Sequence, residues 1–132
     1  AGEPLSIAQE DVRIDGWAIE CRINAEDPDR NFMPCPGEIT QYIPPGGPGV
    51  RVDGAAYPGY RIPPLYDSMI AKLVVHGRDR MAAIRRILRA LGEYRIDGVK
   101  TTIPFYRNLI KHPAFVRGTR YSTHFVDEWL GK

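Results

Sequence analysis

An arginine in the first apolar stretch is the earliest residue whose type and position suit anion chemistry. Arg22 alternates with Cys21 and Ile23, so it shares the more polar face of a predicted strand with Glu20. A guanidinium is always charged and presents its donors in a fixed geometry, so it can stabilise an anion or hold a carboxylate. An ordinary strand salt bridge is the alternative, and the pattern alone favours it.

An aspartate stands just before the most apolar stretch of the chain. Asp67 lies in the segment LYDSM, at a predicted junction between a loop and a strand. Such a junction presents a side chain from a rigid platform, so this carboxylate is a candidate binding group. Its simpler role is to accept backbone N–H bonds in the turn, and without other information this interpretation is favoured.

Other patterns exclude several kinds of site. The glycine-proline turn at 44–49 lacks the following helix and the Lys-Ser or Lys-Thr pair of a phosphate loop. Cys21 and Cys35 form no CxxC pair and the three histidines are dispersed, so no metal site is predicted. Nothing in the spacing supports a Cys-His nucleophile pair either.

Composition indicates a single soluble domain. The chain has 132 residues, of which 43% are hydrophobic and 26% charged, with a net charge of +2. The basic residues of the stretch 79–91 have no interleaved aromatic residues, so we expect a solvated helix face and no nucleic-acid partner. No apolar run approaches the roughly 20 residues that span a bilayer. With no secretory leader and with free thiols, a cytoplasmic protein without membrane contact is expected.

Hydrophobic periodicity predicts strands in the first half of the chain. Residues 17–24 alternate strictly, and 69–76 is the strongest strand candidate. Shorter strands are predicted at 38–43 and 50–53. The turn-forming residues of 26–37 predict a loop, and the prolines and glycine of 57–64 predict bends in an irregular sheet.

Helices are predicted mainly in the second half. Asp79 is a natural N-cap for an amphipathic helix that ends near Gly92. Further helices are predicted at 102–111 and 124–130, a turn or short strand at 96–100, and a helical turn or two at 4–11. This order indicates an α+β fold, with a mostly antiparallel, irregular sheet on which the later helices pack.

Five short motifs follow one another along most of the chain. They are ECRINAEDP at 20–28, FMPCPG at 32–37, PGGPGVR at 45–51, YDSMIAKL at 66–73 and IDGVKT at 96–101. In order and spacing the set resembles the biotin carboxylase C-terminal domain. Residues 1–13 resemble the end of the preceding ATP-grasp region, so 14–132 is expected to be the C-terminal domain itself.

The resemblance implies a specific chemistry. Biotin carboxylases use ATP and magnesium to activate bicarbonate as carboxyphosphate, and the ureido oxyanion of biotin then attacks the released carbon dioxide. Negative charge on the ureido oxygen needs a preorganised cation. By resemblance, that catalytic cation is Arg22, and Asp67 lines the biotin site, where it orients the ureido ring or holds neighbouring arginines. These implied roles replace the simpler interpretations of both residues.

Three more positions acquire roles through the resemblance. Arg51 corresponds to an interface residue of the family's homodimer. Pro48, three residues earlier, stands where the family often has a phenylalanine that takes part in the same dimer contact. Thr123 corresponds to a residue that closes the adenine pocket, at a position where an aliphatic side chain is more usual.

The family's remaining machinery lies in its upstream domains. These domains carry the phosphate loop and the groups that bind ATP, magnesium and bicarbonate, so we predict that this chain alone has no carboxylase activity. The expected partners are the upstream ATP-grasp domain, a biotin carboxyl carrier and a second copy of the enzyme. A non-catalytic scaffold and homodimerisation module is the alternative. The motifs look closer to bacterial acetyl-CoA carboxylase than to pyruvate carboxylase, and other acyl-CoA carboxylases stay open.

Overall fold

A computed structural model describes residues 2–119 and 122–131 of the chain. Its strands are β1 Trp17–Asn24, β2 Glu26–Asp27, β3 Met33–Pro34, β4 Gly37–Glu38, β5 Gln41–Ile43, β6 Val50–Gly54, β7 Arg61–Ile62, β8 Met69–Gly77 and β9 Arg95–Asp97. Its α-helices are α1 Arg80–Glu93, α2 Ile103–Lys111, α3 Pro113–Arg117 and α4 Phe125–Leu130. Strands dominate the first part and helices the second, so the predicted α+β class is confirmed.

The main sheet has β8 at its centre, paired antiparallel with β1 on one side and β6 on the other. Lys72 of β8 stands opposite Arg22 on β1 and opposite Asp53 on β6. Because side chains alternate along a strand, Cys21 and Leu73 point to the other face, where both are buried. The predicted strands 17–24 and 69–76 are confirmed, the second with one extra residue.

Helix α1 covers the apolar face of this sheet. The Asp79 side chain accepts a hydrogen bond of 2.7 Å from the Ala82 N–H, which caps the helix as predicted. The buried helix residues Ile84, Ile87 and Leu91 belong to one core cluster with the apolar side chains of β1 and β8. The core therefore lies between α1 and the sheet, and the opposite sheet face carries the charged residues.

The remaining strands form three two-stranded ladders, β2 with β3, β4 with β7 and β5 with β9. The strand predicted at 38–43 is divided, because β4 and β5 pair with different partners on either side of the fully buried Ile39. The predicted absence of regular structure at 26–37 is wrong in part. Two residues on each side of a 3-10 turn at Pro28–Arg30 pair as β2 and β3.

The second half contains one helix that periodicity does not predict. Helix α3 follows α2 directly; the His112 Nδ1 accepts a 3.2 Å hydrogen bond from the Ala114 N–H at its start, and Gly118, at φ +70°, ends it. The predicted helices at 102–111 and 124–130 are confirmed as α2 and α4. Of the predicted turns at 4–11, only a 3-10 turn at Gln9–Asp11 forms. None of the helices within the described ranges has the length and apolarity to cross a membrane.

Candidate functional site

Arg22 lies on the sheet face opposite α1, beside Lys72 of the central strand. Its side chain is 64% exposed, and its Nε lies 3.7 Å from the Glu20 Oε1. An exposed pair at this distance contributes little energy, so it does not fix the guanidinium in place. Arg22 therefore presents a cation to whatever faces the sheet.

Arg51 shares this face. It stands opposite Val74, which in turn stands opposite Glu20 on the other side of β8. The Arg51 side chain is 70% exposed, and its Nε lies 3.1 Å from the Asp53 Oδ1. The structure thus brings two predicted site residues onto one surface. We call this surface the open face; it consists of Glu20, Arg22, Arg51, Asp53 and Lys72.

The backbone beside Arg22 is held by a buried threonine. The Thr102 hydroxyl donates a 3.1 Å hydrogen bond to the Arg22 carbonyl and accepts a 3.0 Å hydrogen bond from the Asn24 N–H. The Thr102 N–H also donates to the Asn24 carbonyl, at 3.1 Å. The residue that precedes α2 is therefore fixed to the end of β1 by three hydrogen bonds.

A polar cluster joins the same end of β1 to the start of β8. The Asn24 Nδ2 donates to the Glu26 Oε1 at 3.0 Å and to the Ser68 Oγ at 3.2 Å. Ser68 donates in turn to the Glu26 Oε1 at 2.5 Å, and its carbonyl accepts from the Ala25 N–H at 2.7 Å. Because Ser68 directly follows Asp67, the cluster connects the backbone around Arg22 with that around Asp67.

Asp67 is exposed, and its Oδ1 accepts a 2.8 Å hydrogen bond from the Met69 N–H. This is the turn-stabilising role that its position alone favours. Within the described part of the chain the Arg22 guanidinium pairs with Glu20 and not with Asp67. Both residues nevertheless lie near one end of the β1–β8 ladder, because Asn24 and Met69 are cross-strand partners there.

Pro48 is exposed in the turn that leads into β6, and α1 braces this turn. The Arg89 Nη2 donates to the Gly46 carbonyl at 3.1 Å, and a Cβ at Gly49 (φ +72°) would lie only 2.7 Å from the Arg86 guanidinium. Thr123, the fifth predicted site residue, is exposed just ahead of α4, on a different element from the open face.

One helix arginine departs from the predicted solvated face. The Arg80 guanidinium carbon lies 5.2 Å from the Trp17 ring centroid and 4.9 Å from that of Phe115. An Nη2 donor of Arg80 also bonds the Phe115 carbonyl at 2.5 Å. Cation–π attraction to two rings makes this side chain a packing element between β1 and α3 rather than part of a basic surface.

Burial decides which groups are able to react. Desolvation, assisted by the negative charge of Glu20, raises the pKa of the Cys21 thiol to about 12. Desolvation is also the main reason that the pKa of Tyr106 rises to about 12. Both groups therefore stay protonated at neutral pH, so Cys21 is no nucleophile. In the described ranges no three His, Cys, Asp or Glu side chains converge as metal ligands do.

Two grooves lie near the charged candidates, and Arg22 lines neither of them. A groove of 490 Å³ between the 27–32 loop and α2 has Phe32, Phe105 and Trp129 among its lining residues, but none of the five predicted site residues. A smaller groove, with four prolines among its nine lining residues, includes Asp67 and Ser68. Arg22 thus lies on an open surface, and an enclosed site around it would require a second surface opposite.

Sequence reasoning missed the residues that hold the candidates in place. Asn24, Glu26 and Ser68 stand inside the quoted motifs, but only the structure shows that they bond to one another. Thr102 was predicted only as a helix start. A threonine at the boundary of a predicted helix is the one available signal, and it indicates a cap of the helix rather than a clamp on a distant strand.

Comparison with known proteins agrees with the fold and the motifs. The chain is 59% identical over 129 residues to Biotin carboxylase 1 of Bacillus subtilis, covering 98% of this chain and 28% of that protein. It is 58% identical to a pyruvate carboxylase subunit from Methanothermobacter thermautotrophicus, again over 98% of this chain and 26% of the relative. The chain therefore spans less than a third of the length of these relatives.

Solved structures show the same likeness. The biotin carboxylase domain dimer of the Hydrogenobacter thermophilus 2-oxoglutarate carboxylase, crystallised with MgADP, ADP and bicarbonate, superposes with a TM-score of 0.93 at 48% identity. That match covers 96% of this chain and 28% of the other. The biotin carboxylase subunit of a pyruvate carboxylase superposes with a TM-score of 0.94 at 48% identity, over 98% and 29% of the two chains. Residues 20–128 match the family profile itself, and the chain belongs to the biotin carboxylase C-terminal domain family.

Proposed function

We propose that this chain contributes biotin-site residues to the ATP-dependent carboxylation of biotin by bicarbonate, and that it is inactive alone. The observation that carries the proposal is Arg22: an exposed cation on the open face, in a strand that pairs with β8 on one side and is hydrogen-bonded to Thr102 on the other. A cation that is already in place when negative charge develops needs no reorganisation during the reaction, which is the basis of electrostatic catalysis.

The two candidate residues have complementary tasks in this proposal. Arg22 donates hydrogen bonds to the ureido oxygen of biotin as that oxygen becomes negative. Asp67 uses one carboxylate oxygen to hold the Met69 N–H, which leaves the other for the ureido ring or a neighbouring arginine. The exposure of Arg22 suits this task only when another surface closes over it, because charge interactions strengthen as water is excluded.

ATP, magnesium and bicarbonate are proposed to bind mainly to the part of the longer relatives that this chain does not span. A Hydrogenobacter thermophilus relative, of which this chain spans 28%, is in complex with MgADP and bicarbonate, which supports binding of these ligands by the longer protein. Thr123 is the proposed contribution of this chain to the adenine pocket. We further propose a cytoplasmic enzyme whose biotin arrives on a carrier protein or domain.

Dimer formation is a second role of the same face. The relative with bound MgADP is a biotin carboxylase domain dimer, which supports a homodimer contact through Pro48 and Arg51. Since Arg51 and Arg22 share the open face, a non-catalytic scaffold and dimerisation module is the alternative function. In that alternative Arg22 contributes only to the assembly.

For the parent enzyme we propose acetyl-CoA carboxylase. The support for this choice is the form of the ECRINAEDP and YDSM motifs, which resembles bacterial acetyl-CoA carboxylase; relatives named as biotin carboxylases, from Bacillus subtilis, Nostoc and Pseudomonas aeruginosa, are compatible with it. The pyruvate carboxylase relative is similar to almost the same degree, at 58% against 59%. A test is to pair the complete enzyme with carrier and carboxyltransferase and to compare acetyl-CoA, propionyl-CoA and pyruvate as acceptors; carboxylation of pyruvate alone would exclude the acetyl-CoA assignment.

Mixing separately produced parts tests the catalytic role. ATP hydrolysis and carboxylation of free biotin are measured for this chain, for an upstream ATP-grasp portion and for their mixture. We expect carboxylation only from the mixture, and its loss with Arg22→Ala. Arg61→Ala is the matched control, because Arg61 is an exposed strand arginine paired with Glu38 and lies outside the open face. An assembled mixture that is equally active with Arg22→Ala would favour the scaffold.

A further inference from the structure

We propose that Thr102 is a positioning residue for Arg22 and that it acts through the backbone of β1. The inference rests on the proposed function of Arg22 and adds a residue to it. Three hydrogen bonds between Thr102 and β1 hold the backbone at Arg22, and this backbone sets the direction of the Arg22 side chain.

Strand pairing by itself leaves this part of β1 weakly defined. β1 is an edge strand of the main sheet, so its outward N–H and C=O groups have no ladder partner. The register with β8 also shifts between Ile23 and Asn24, and such an irregularity interrupts the ladder two residues from Arg22. The Arg22 carbonyl and the Asn24 N–H therefore need another partner, and the Thr102 hydroxyl serves both.

The environment of Thr102 indicates a dedicated clamp. Thr102 is polar yet buried, at 4% exposure, among the residues that the structure describes. It is also the N-cap residue of α2, yet its hydroxyl makes no capping bond to that helix. A threonine at this position ordinarily caps its own helix, so the hydroxyl here is used for β1 instead.

The clamp is attached to a rigid element. Ile103 and Ile110 anchor α2 in the core, at 8% and 1% exposure. Tyr106 lies one turn after Thr102. Desolvation raises the pKa of its phenol, and a hydrogen bond with the Arg22 backbone acts in the opposite direction. Thr102 and Tyr106, one turn apart at the start of α2, therefore both contact the backbone of β1 at Arg22, and such rigid support is what a precise site requires.

The tip of Arg22 has no comparable support. Its ion pair with Glu20 is 3.7 Å long and exposed, so the guanidinium is aimed chiefly by the position and direction of its own Cα. A displacement of a transition-state group by about 1 Å can reduce turnover by about 100-fold. Loss of the clamp is therefore expected to affect the step that uses Arg22 much more than other steps of the same enzyme.

The test compares Thr102→Val with Thr102→Ser in the complete biotin carboxylase. Valine retains the shape and removes the hydroxyl, whereas serine retains both hydrogen-bonding roles. We expect Thr102→Val to lower kcat for biotin carboxylation by about 10-fold or more, while Thr102→Ser stays within about 3-fold of the parent. Bicarbonate-dependent ATP hydrolysis without biotin, measured on the same preparations, is expected to change by less than about 2-fold.

Each alternative outcome has a distinct meaning. The positioning role would be overturned if Thr102→Val lost biotin carboxylation and ATP hydrolysis equally, or if Thr102→Ser lost as much biotin carboxylation as Thr102→Val. Either result would indicate an effect on stability only. If valine does not yield folded enzyme, Thr102→Ala leaves room for a water in place of the hydroxyl, and the same selective loss is expected. Arg22→Ala separates the two proposals: full biotin carboxylation in that variant refutes the proposed function, whereas its loss alongside a fully active Thr102→Val refutes this inference alone.

Discussion

The buried thiol of Cys21 is expected to make the fold sensitive to alkali. Cys21 is 2% exposed inside β1, and its pKa rises from 9.0 to about 12 because ionisation there would place an uncompensated charge in the core. As the pH rises above 9.0, the unfolded chain loses this proton while the folded chain keeps it. Stability that is fully present below pH 9.0 is therefore lost progressively towards the folded pKa.

The size of the effect follows from this difference between the two states. One pH unit above the unfolded pKa of 9.0, the thiol alone reduces the free energy of unfolding by about 1.4 kcal/mol. Tyr94 and Tyr106 act in the same direction, because burial raises both phenol pKa values, but their ordinary value of 10.0 delays their effect. The range between about pH 8 and about pH 10 thus reports mainly on Cys21.

Urea unfolding of the chain and of Cys21→Ala across this range is the assay. Cys21→Ala is expected to lower the free energy of unfolding by about 1 kcal/mol at neutral pH, because packing is lost. It is also expected to abolish the thiol's further reduction of that free energy, about 1.4 kcal/mol at about pH 10. Cys35→Ala is the matched control, since Cys35 is the second free thiol and lies outside the core cluster. Parallel pH profiles for the parent and Cys21→Ala would refute the reasoning.

Other perturbations test the fold at single contacts. Tyr94→Phe, which removes a 2.8 Å hydroxyl contact with β5, should cost about 1 kcal/mol in urea unfolding, and a neutral result would contradict this. Asp79→Ala should lower Tm near neutral pH, by an amount that shrinks as the pH falls below 3.8, because the helix N–H bond lowers the pKa of Asp79; a pH-independent difference would exclude the cap. Gly98→Ala should cost more than about 1 kcal/mol, since φ is +99° and the Cβ would meet the Glu38 carbonyl, whereas Gly92→Ala, in open space on α1, should be neutral or stabilising.

The long elements were predictable because their patterns are local. Alternation over 17–24 and 69–76 reflects one buried and one exposed sheet face, and Asp79 is a cap of the helix that follows. The division of 38–43 was not predictable, since two tertiary partners decide it. Helix α3 has five residues, too few to display a helical period.

For the candidate site, the sequence predicted the face of Arg22 but not its support. Alternation is sufficient to place Glu20 and Arg22 together on the exposed face. The clamp joins Arg22 to Thr102, and the cluster joins Asn24 to Ser68; both contacts link residues far apart in the chain. Such contacts follow from the packing of α2 and from the irregularity at the end of β1, and no periodicity encodes them.

The pairing of β1 with β8 has a consequence for how this domain tolerates change in length. The pairing of β1 with β8 places Arg22 and Asp67 near each other, so the length of the intervening chain does not set the distance between them. Gly46 and Gly59 are exposed in turns of that segment, and an added Cβ at either glycine would have no neighbour within 4 Å. Insertions or deletions at such exposed turns are tolerated where backbone hydrogen bonds are spared. Exposed turns between β1 and β8 are thus places where homologues can diverge in length, and where a tag can be inserted, while the β1–β8 pairing keeps the spacing of Arg22 and Asp67.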